Sequence, residues 1–301
     1  VICTDKTGTL TQNQMKVDEI KVYAKDIAES VIYEGLAVNS TASIDSSDSK
    51  KPQVLGNPTE GALLLWLNSN DVDYRTIRET TKEVEELPFS TEHKYMATVV
   101  ESAALQGKRV LYVKGASEII FALCKTSDVD KQVVDKQLLA YQNRAMRTLG
   151  FAYQIVADGD KTIADGKVVA DSLHFIGVAA IADPVRLDVP DAVKECIDAG
   201  INVKIVTGDT PGTAKEIGRQ IGLWKDTDNE CNIITGPEFA ALSNEQLLDR
   251  VLDLKIIARA RPMDKKRLVE ALQKKNQVVA VTGDGTNDAP ALHAAHVGLS
   301  M

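Results

Sequence analysis

Three stretches of the chain share one pattern of apolar and polar positions. Each is an apolar, β-branched run that ends in Thr-Asp or Thr-Gly-Asp, passes through Gly, Asn or Pro, and enters a helical pattern. They are VICTDKTGT at 1–9, INVKIVTGDTPGTAKEIGRQIG at 201–222 and NQVVAVTGDGTNDAPALHAA at 276–295. Unbroken apolar strands alternating with helices predict a parallel sheet covered on both faces. In such sheets ligands bind beyond the carboxyl ends of the strands, which puts Asp5, Asp209 and Asp284 along one edge. Pro190 and Gly200 bracket one helix, VPDAVKECIDAGI. Ala214, Ile217 and Ile221 give another an apolar face before Gly222. Leu268, Val269 and Leu272 do the same for PMDKKRLVEALQKKN, whose basic end suits a helix C-terminus.

The stretch from about 16 to 175 follows a different pattern. A helix, PTEGALLLWLNSN, precedes two alternating strands, KYMATVVES and KRVLYVKG. Helices SEIIFALC and QLLAYQNRAMRTL and a strand GFAYQIV follow. This predicts an α+β insert. Two Ser-, Asp- and Gly-rich segments, 39–52 and 157–172, are expected as exposed loops. The fold class is therefore α/β: a discontinuous, doubly wound parallel-sheet domain interrupted early by an α+β domain. The expected boundaries are 1–15 and 181–301 for the parallel-sheet domain and 16–180 for the insert. Hinges are expected near Asn13–Lys16 and near Ile181–Pro184.

Composition narrows the chemistry. The 301 residues are 44% apolar and 26% charged, enough for two cores. The net charge of −8 argues against a nucleic-acid or anionic-membrane surface. Four scattered cysteines form no CxxC pair, so reduced, buried thiols in a reducing compartment are expected. The longest apolar run, 175–182, is far short of the ~20 residues of a membrane span. VICTDKTGTLT opens without an initiator Met and AAHVGLSM stops without a cap, so both ends look cut from a longer chain.

A carboxylate at a strand end, such as Asp5, serves as a cap, a metal ligand or a nucleophile. Attack on phosphate demands charge neutralisation by Mg²⁺ and a Lys. Asp5 and Asp284 suit Mg²⁺, which takes one or two carboxylates plus phosphate oxygens. Lys265 and Lys6 are candidates for the cation. Thr207 and Gly208 offer a hydroxyl and a backbone N–H to phosphate.

DKTGTLT, TGD and TGDGTNDAPAL, in this order and with KGASE between them, resemble the catalytic core of a P-type ATPase, within the haloacid dehalogenase superfamily. The resemblance covers essentially the whole chain. It implies that Asp5 is phosphorylated by ATP, with Lys6 beside it. Thr7 would contact the transferred phosphate and give a backbone oxygen to Mg²⁺. Thr207, Gly208 and Asp209 would surround the phosphate, and Lys265 would neutralise it. Asp284 would hold Mg²⁺, supported by Asn287 and Asp288. Asp183, Arg186 and Arg259 would line the hinge and the ribose region. In the insert, Phe89 would stack on adenine and Glu60 would face its edge. Lys94, Met96, Lys114, Gly115, Arg147 and Leu149 would complete the pocket. Related phosphatases carry an Asp two positions after the nucleophile. Here Thr7 stands there, and it cannot act as a general acid or base near neutral pH, so an acyl phosphate on Asp5 should persist.

KGASEII, IADPVR and LPFSTEHKYMATVV look similar to calcium pumps of the plasma-membrane, calmodulin-regulated branch, although many relatives have Pro where Ser117 stands. The resemblance thus implies an ATP-driven cation pump for Ca²⁺. ATP would be its substrate, and actuator and membrane helices would belong to the same parent chain, with this part on the cytoplasmic face. A phosphatase of the haloacid dehalogenase type, or a pump for another cation, is the alternative.

Several residues also have plainer roles. Glu60 sits where a capping-box carboxylate would, after a capping Asn57 and Pro58. Phe89 suits a core position and Lys114 a solvated strand edge. Asp209 and Asp288 suit helix N-caps, and Arg186 and Arg259 suit carboxylate pairing. His293 and His296 share a helix face but lack a third metal ligand nearby.

Overall fold

The opening strand, Ile2–Thr4, has a parallel neighbour on each side, Val203–Val206 and Ala280–Gly283. These are the strands of the three look-alike segments. The computed structural model describes residues 1–47, 52–125, 129–157, 159–283 and 288–300. Six parallel strands form the sheet, in the order Ile233–Thr235, Ile256–Ala258, Val203–Val206, Ile2–Thr4, Ala280–Gly283, Val297–Ser300. Continuous apolar strands need both faces covered. On one face Val203 and Ile205 pack with Val193, Ala214 and Ile217 of helices Val189–Asp198 and Pro211–Gln220. On the other, Cys3, Val206 and Val281 pack with Leu268 and Leu272 of helix Pro262–Lys274 and Ala291 of helix Ala289–Ala294. Pro at the first turn starts each of these four helices. Gly200 and Gly222, with φ of 75° and 74°, follow two of them.

Residues Met15–Gln142 and Met146–Ala182 make a second unit; Val1–Gln14, Asn143–Ala145 and Asp183–Met301 make the first. The second unit holds an antiparallel sheet of six strands. Their order is Lys16–Val22, His174–Ala182, Arg147–Ile155, Arg109–Ala116, Tyr95–Glu101, Lys82–Leu87. Period-two alternation sends Tyr95, Ala97 and Val99 to one core with Ile120 and Tyr141, beneath helices Ser117–Leu123 and Lys131–Asn143. Phe151, Ile176 and Ala179 face the other core with Leu36, Leu63, Leu64 and Tyr74, from helices Glu29–Val38, Pro58–Ser69 and Tyr74–Thr80. Glu34 is buried in that layer, with no cation paired to it among the described residues. Its carboxylate accepts from Tyr112 Oη at 2.7 Å, Ser102 Oγ at 2.5 Å, Ala103 N at 2.8 Å, and from Ala104 N and Thr81 Oγ1 at 3.1 Å each.

Three expectations change. The helix expected over QLLAYQNRAMRTL ends at Asn143, because Ala145 is left-handed (φ 59°), and Arg147 to Leu149 already lie in a strand. The segment 39–52 is not uniformly exposed. Asn39, Ser40 and Ala42 are buried, and Ser43–Asp45 pairs with Gln53–Leu55. Within 157–172, Ile163–Ala164 pairs with Lys167–Val168. The thiols are free, but only Cys3 and Cys124 are buried; Cys231, in a turn, is exposed. Among the described residues no helix is long and apolar enough to cross a membrane.

Candidate active site

The carboxyl edge of the parallel sheet gathers the first group of residues. The backbone stays extended at Asp5 and then turns tightly through Lys6–Leu10, where Gly8 takes a φ of 76° that other residues resist. Two straps hold this loop. Thr11 Oγ1 donates to Asp183 Oδ2 at 2.6 Å, and Gln14 N donates to Asp183 Oδ1 at 3.1 Å. Arg186 donates to Gly8 O at 2.8 Å and to Thr11 O at 3.2 Å. Arg186 therefore binds carbonyls, not the carboxylates that its plainer reading anticipated.

The two candidate lysines part company. Lys6 Nζ pairs with Asp209 Oδ2 at 2.7 Å. Lys265, on the first turns of helix Pro262–Lys274, is buried and reaches Asp288 Oδ1 at 2.5 Å and Asp5 Oδ1 at 3.3 Å. Burial raises the Asp5 carboxyl above its ordinary range and the Asp288 carboxylate adds to this, while Lys265 pulls the other way. Neither Asp209 nor Asp288 caps a helix with its side chain. Thr210 caps Pro211–Gln220, and Asp288 turns to Lys265 instead. Asp288 Oδ2 is buried and has no partner among the described residues. It lies so close to Gly283 that a Cβ there would stand 1.9 Å from it, so the strand must end in Gly.

Thr207, Gly208 and Asp209 follow strand Val203–Val206. Thr207 is buried, and its Oγ1 accepts from Asp209 N at 3.2 Å. Arg259 is exposed and left-handed (φ 50°), and its backbone N donates to Asp209 O at 2.7 Å. Asp5, Thr7, Thr207, Gly208, Asp209 and Lys265 line one cleft of about 480 Å³. Asp284 and Asn287 lie outside the described residues. His296 Nδ1 accepts from Val279 N at 3.1 Å, and the described residues hold no cluster of three metal-ligating side chains.

A second cleft, of about 520 Å³, opens in the antiparallel unit. Strand register collects its walls, since Met96 is paired with Lys114, Tyr95 with Gly115, and Leu149 with Ala116. Phe89, Lys94, Met96, Gly115, Arg147 and Leu149 all line it. Gly115 is required by close approach: a Cβ there would lie 2.3 Å from Lys94 O. Phe89 is not core but 59% exposed, its ring free at the cleft.

Lys114 is not a solvated edge charge. It is 4% exposed, and its Nζ donates to Glu60 Oε1 at 2.9 Å and to Asn39 O at 2.6 Å. Asn57 caps the helix through Thr59 N, but Glu60 completes no capping box. Its Oε2 accepts from Thr41 N and Thr41 Oγ1, each at 3.0 Å, and from Ser40 Oγ at 3.3 Å. Burial pushes the Glu60 carboxyl up, yet Lys114 and the Thr41 bonds outweigh it and hold it below its ordinary value. Asn39, Ser40 and Thr41 carried no signal in sequence, because they open a Ser-rich segment that looks like plain loop.

The model of the P-type ATPase cytoplasmic domain N matches residues 28–188. Across its whole length the chain is 37% identical to calcium-transporting ATPase 7, plasma membrane-type, of Oryza sativa subsp. japonica, and covers 31% of that protein. It is 35% identical to calcium-transporting ATPase 1 of Lactococcus lactis, covering 35% of it. It is also 35% identical to the probable cation-transporting ATPase F of Mycobacterium bovis, covering 37% of it. The chain thus spans about a third of the length of the curated relatives it matches.

Proposed function

Because the chain belongs to the P-type ATPases, we infer that it is the part of an ATP-driven cation pump that binds MgATP and takes the terminal phosphoryl group onto Asp5. A carboxylate oxygen of Asp5 attacks the γ-phosphorus, the bond to the β-phosphate oxygen breaks, and ADP leaves with the electron pair. Lys265 lies against Asp5 and neutralises charge that grows on the phosphoryl oxygens. The Thr207 hydroxyl and Gly208 N–H bind those oxygens, and the Lys6–Asp209 pair borders the site.

Mg²⁺, when bound, supplies charge neutralisation on the phosphates. Asp5, the Thr7 carbonyl and Asp284 would hold it, with Asn287 and Asp288 behind. An all-oxygen set suits Mg²⁺, and the buried Asp288 Oδ2, which has no partner among the described residues, fits a site completed by a hydrated cation. In the antiparallel unit Phe89 stacks on the base. Glu60, Lys94, Met96, Lys114, Gly115, Arg147 and Leu149 surround it, and Asp183, Arg186 and Arg259 serve the loops beside the phosphates.

The observation that carries this reading is the bridge from Lys265 to Asp5 and Asp288, beside a Thr7 that cannot assist hydrolysis. That Thr favours a persistent acyl phosphate, as pumping requires, over phosphatase turnover. The names of the relatives support Ca²⁺ as the cargo. The parent would carry membrane helices and an actuator, with this part at the cytoplasmic face.

In the full pump, γ-labelled ATP should leave acid-stable, hydroxylamine-labile label that disappears in Asp5→Asn. Label surviving in Asp5→Asn refutes the reading. Label that requires another cation in place of Ca²⁺ replaces the cargo and keeps the chemistry.

A further inference from the structure

Glu60 and Lys114 do not hold themselves in place. Their bonds to Asn39 O, Ser40 Oγ, Thr41 N and Thr41 Oγ1 all end on one short segment just beyond helix Glu29–Val38. Residues 39–42 lie in neither helix nor strand, so no ladder fixes them. Thr98 Oγ1 donates to Asn39 Oδ1 at 3.1 Å and Ala42 N to Ser40 Oγ at 3.3 Å, and the largest set of bonds to the bend comes from a side chain on a different helix. Arg78, on Tyr74–Thr80, donates from Nε to Ala37 O at 2.8 Å, from Nη2 to Ser40 O at 2.8 Å and from Nη1 to Ala42 O at 3.0 Å. The guanidinium is half-buried and lies 5.0 Å from the centroid of the buried Tyr74 ring. Three nitrogens of one planar fork thus grip three carbonyls around a single bend. An ammonium cannot reproduce that grip, since its donors radiate from one atom.

We propose that Arg78 is a positioning residue of the nucleotide cleft. By gripping the carbonyls of Ala37, Ser40 and Ala42 it sets where Thr41, Glu60 and Lys114 stand, and so sets the affinity for the purine base. The inference rests on reading this cleft as the nucleotide site. The competing role is a plain one: a cation that satisfies the last carbonyls of a helix and adds only stability. The two roles differ in what they do to binding.

The test is calorimetric titration of the 301-residue chain with ATP, with a thermal melt of each variant. The variants are Arg78→Lys, Arg78→Ala, Glu60→Gln and the double variant Arg78→Lys/Glu60→Gln. Arg78→Lys should weaken ATP binding about tenfold well below its melting temperature, the equivalent of one well-placed hydrogen bond. In the Glu60→Gln background the same substitution should change affinity by less than about twofold, because coupled residues are not additive. If Arg78→Ala fails to fold, Arg78→Lys decides. A lowered melting temperature with ATP affinity within about twofold of the parent overturns the proposal in favour of a helix cap. So does an Arg78→Lys effect that persists in full beside Glu60→Gln. Failure of the unsubstituted chain to bind ATP overturns the nucleotide reading itself, and is distinct because it appears before any substitution.

Discussion

Lys114→Met isolates the buried pair of the nucleotide cleft. The substitution keeps an unbranched apolar stem and removes the ammonium. It deletes two charge-assisted bonds, to Glu60 at 2.9 Å and to Asn39 O at 2.6 Å. It also leaves a carboxylate with a side chain only 10% exposed facing three neutral donors. Breaking one side of a buried pair costs about 3–5 kcal/mol. The upper end is limited, because Glu60 can escape by binding a proton. From the ordinary value of 4.5 to pH 7, at 1.36 kcal/mol per pH unit, that costs about 3.4 kcal/mol. The expected loss is therefore about 3 kcal/mol at pH 7.

The pH dependence follows from the sign. Glu60 has a folded value below its unfolded one, so in the parent its stabilisation is complete above 4.5 and fades as pH falls through the folded value. In Lys114→Met the proton is taken up earlier, and the deficit should shrink between pH 7 and 5. Urea unfolding followed by Trp66 fluorescence in a Trp224→Phe background reports this unit alone, since the chain has only these two tryptophans. Glu60→Gln added to Lys114→Met should recover most of the loss. A deficit below about 1 kcal/mol, flat from pH 7 to 5, would mean that Lys114 and Glu60 interact no more strongly than an exposed pair.

Phe89→Ala should weaken ATP binding about tenfold, the worth of one aromatic stack, and leave the melting temperature unchanged because the ring is 59% exposed. Equilibrium titration and a thermal melt decide; a fall in stability without a change in affinity would return Phe89 to the core. Asp5→Asn should raise stability at pH 7. The folded Asp5 value lies above the unfolded 3.8, so its contribution is full below 3.8 and lost as pH rises through the folded value. The advantage of Asn should narrow as pH falls toward 3.8, and a variant less stable than the parent at pH 7 contradicts the upward shift of the Asp5 carboxyl. Glu34→Gln should cost about 2 kcal/mol in urea unfolding, because an amide cannot accept from every donor that now converges on the carboxylate. A neutral outcome would mean that those donors find other acceptors.

Much of the fold was legible because local pattern and global pairing agree. Each strand-to-Asp segment carries its own strand and turn, and the strands of all three pair side by side; the second and third lead into helices, whereas the first makes only a tight turn where its pattern predicts a helix. The insert was legible where an apolar run is long enough to read as a strand, as in Tyr95–Glu101. It was not where a helix pattern runs on past a left-handed Ala145, since a lone non-glycine residue in that conformation leaves no mark in composition. The segment 39–42 looked like exposed loop because hydroxyls and amides signal solvent. Here they signal a buried carboxylate whose lone pairs they fill.

The order of residues sets which types stand at the strand ends, and with them the Asp, Lys and Thr chemistry of the parallel-sheet edge. Each motif places its groups within a few residues of one strand, where backbone geometry alone sets their spacing. The partners of those groups come from folding. Lys265 rather than Lys6 meets Asp5, Lys6 goes to Asp209, Glu60 holds Lys114 instead of capping its helix, and Arg78 grips the segment that holds Glu60. Range separates the two. A charge or hydrogen bond is worth most within about 3 Å and in a dry setting. For groups as far apart in sequence as Asp5 and Lys265, both the distance and the dryness exist only once the chain has folded.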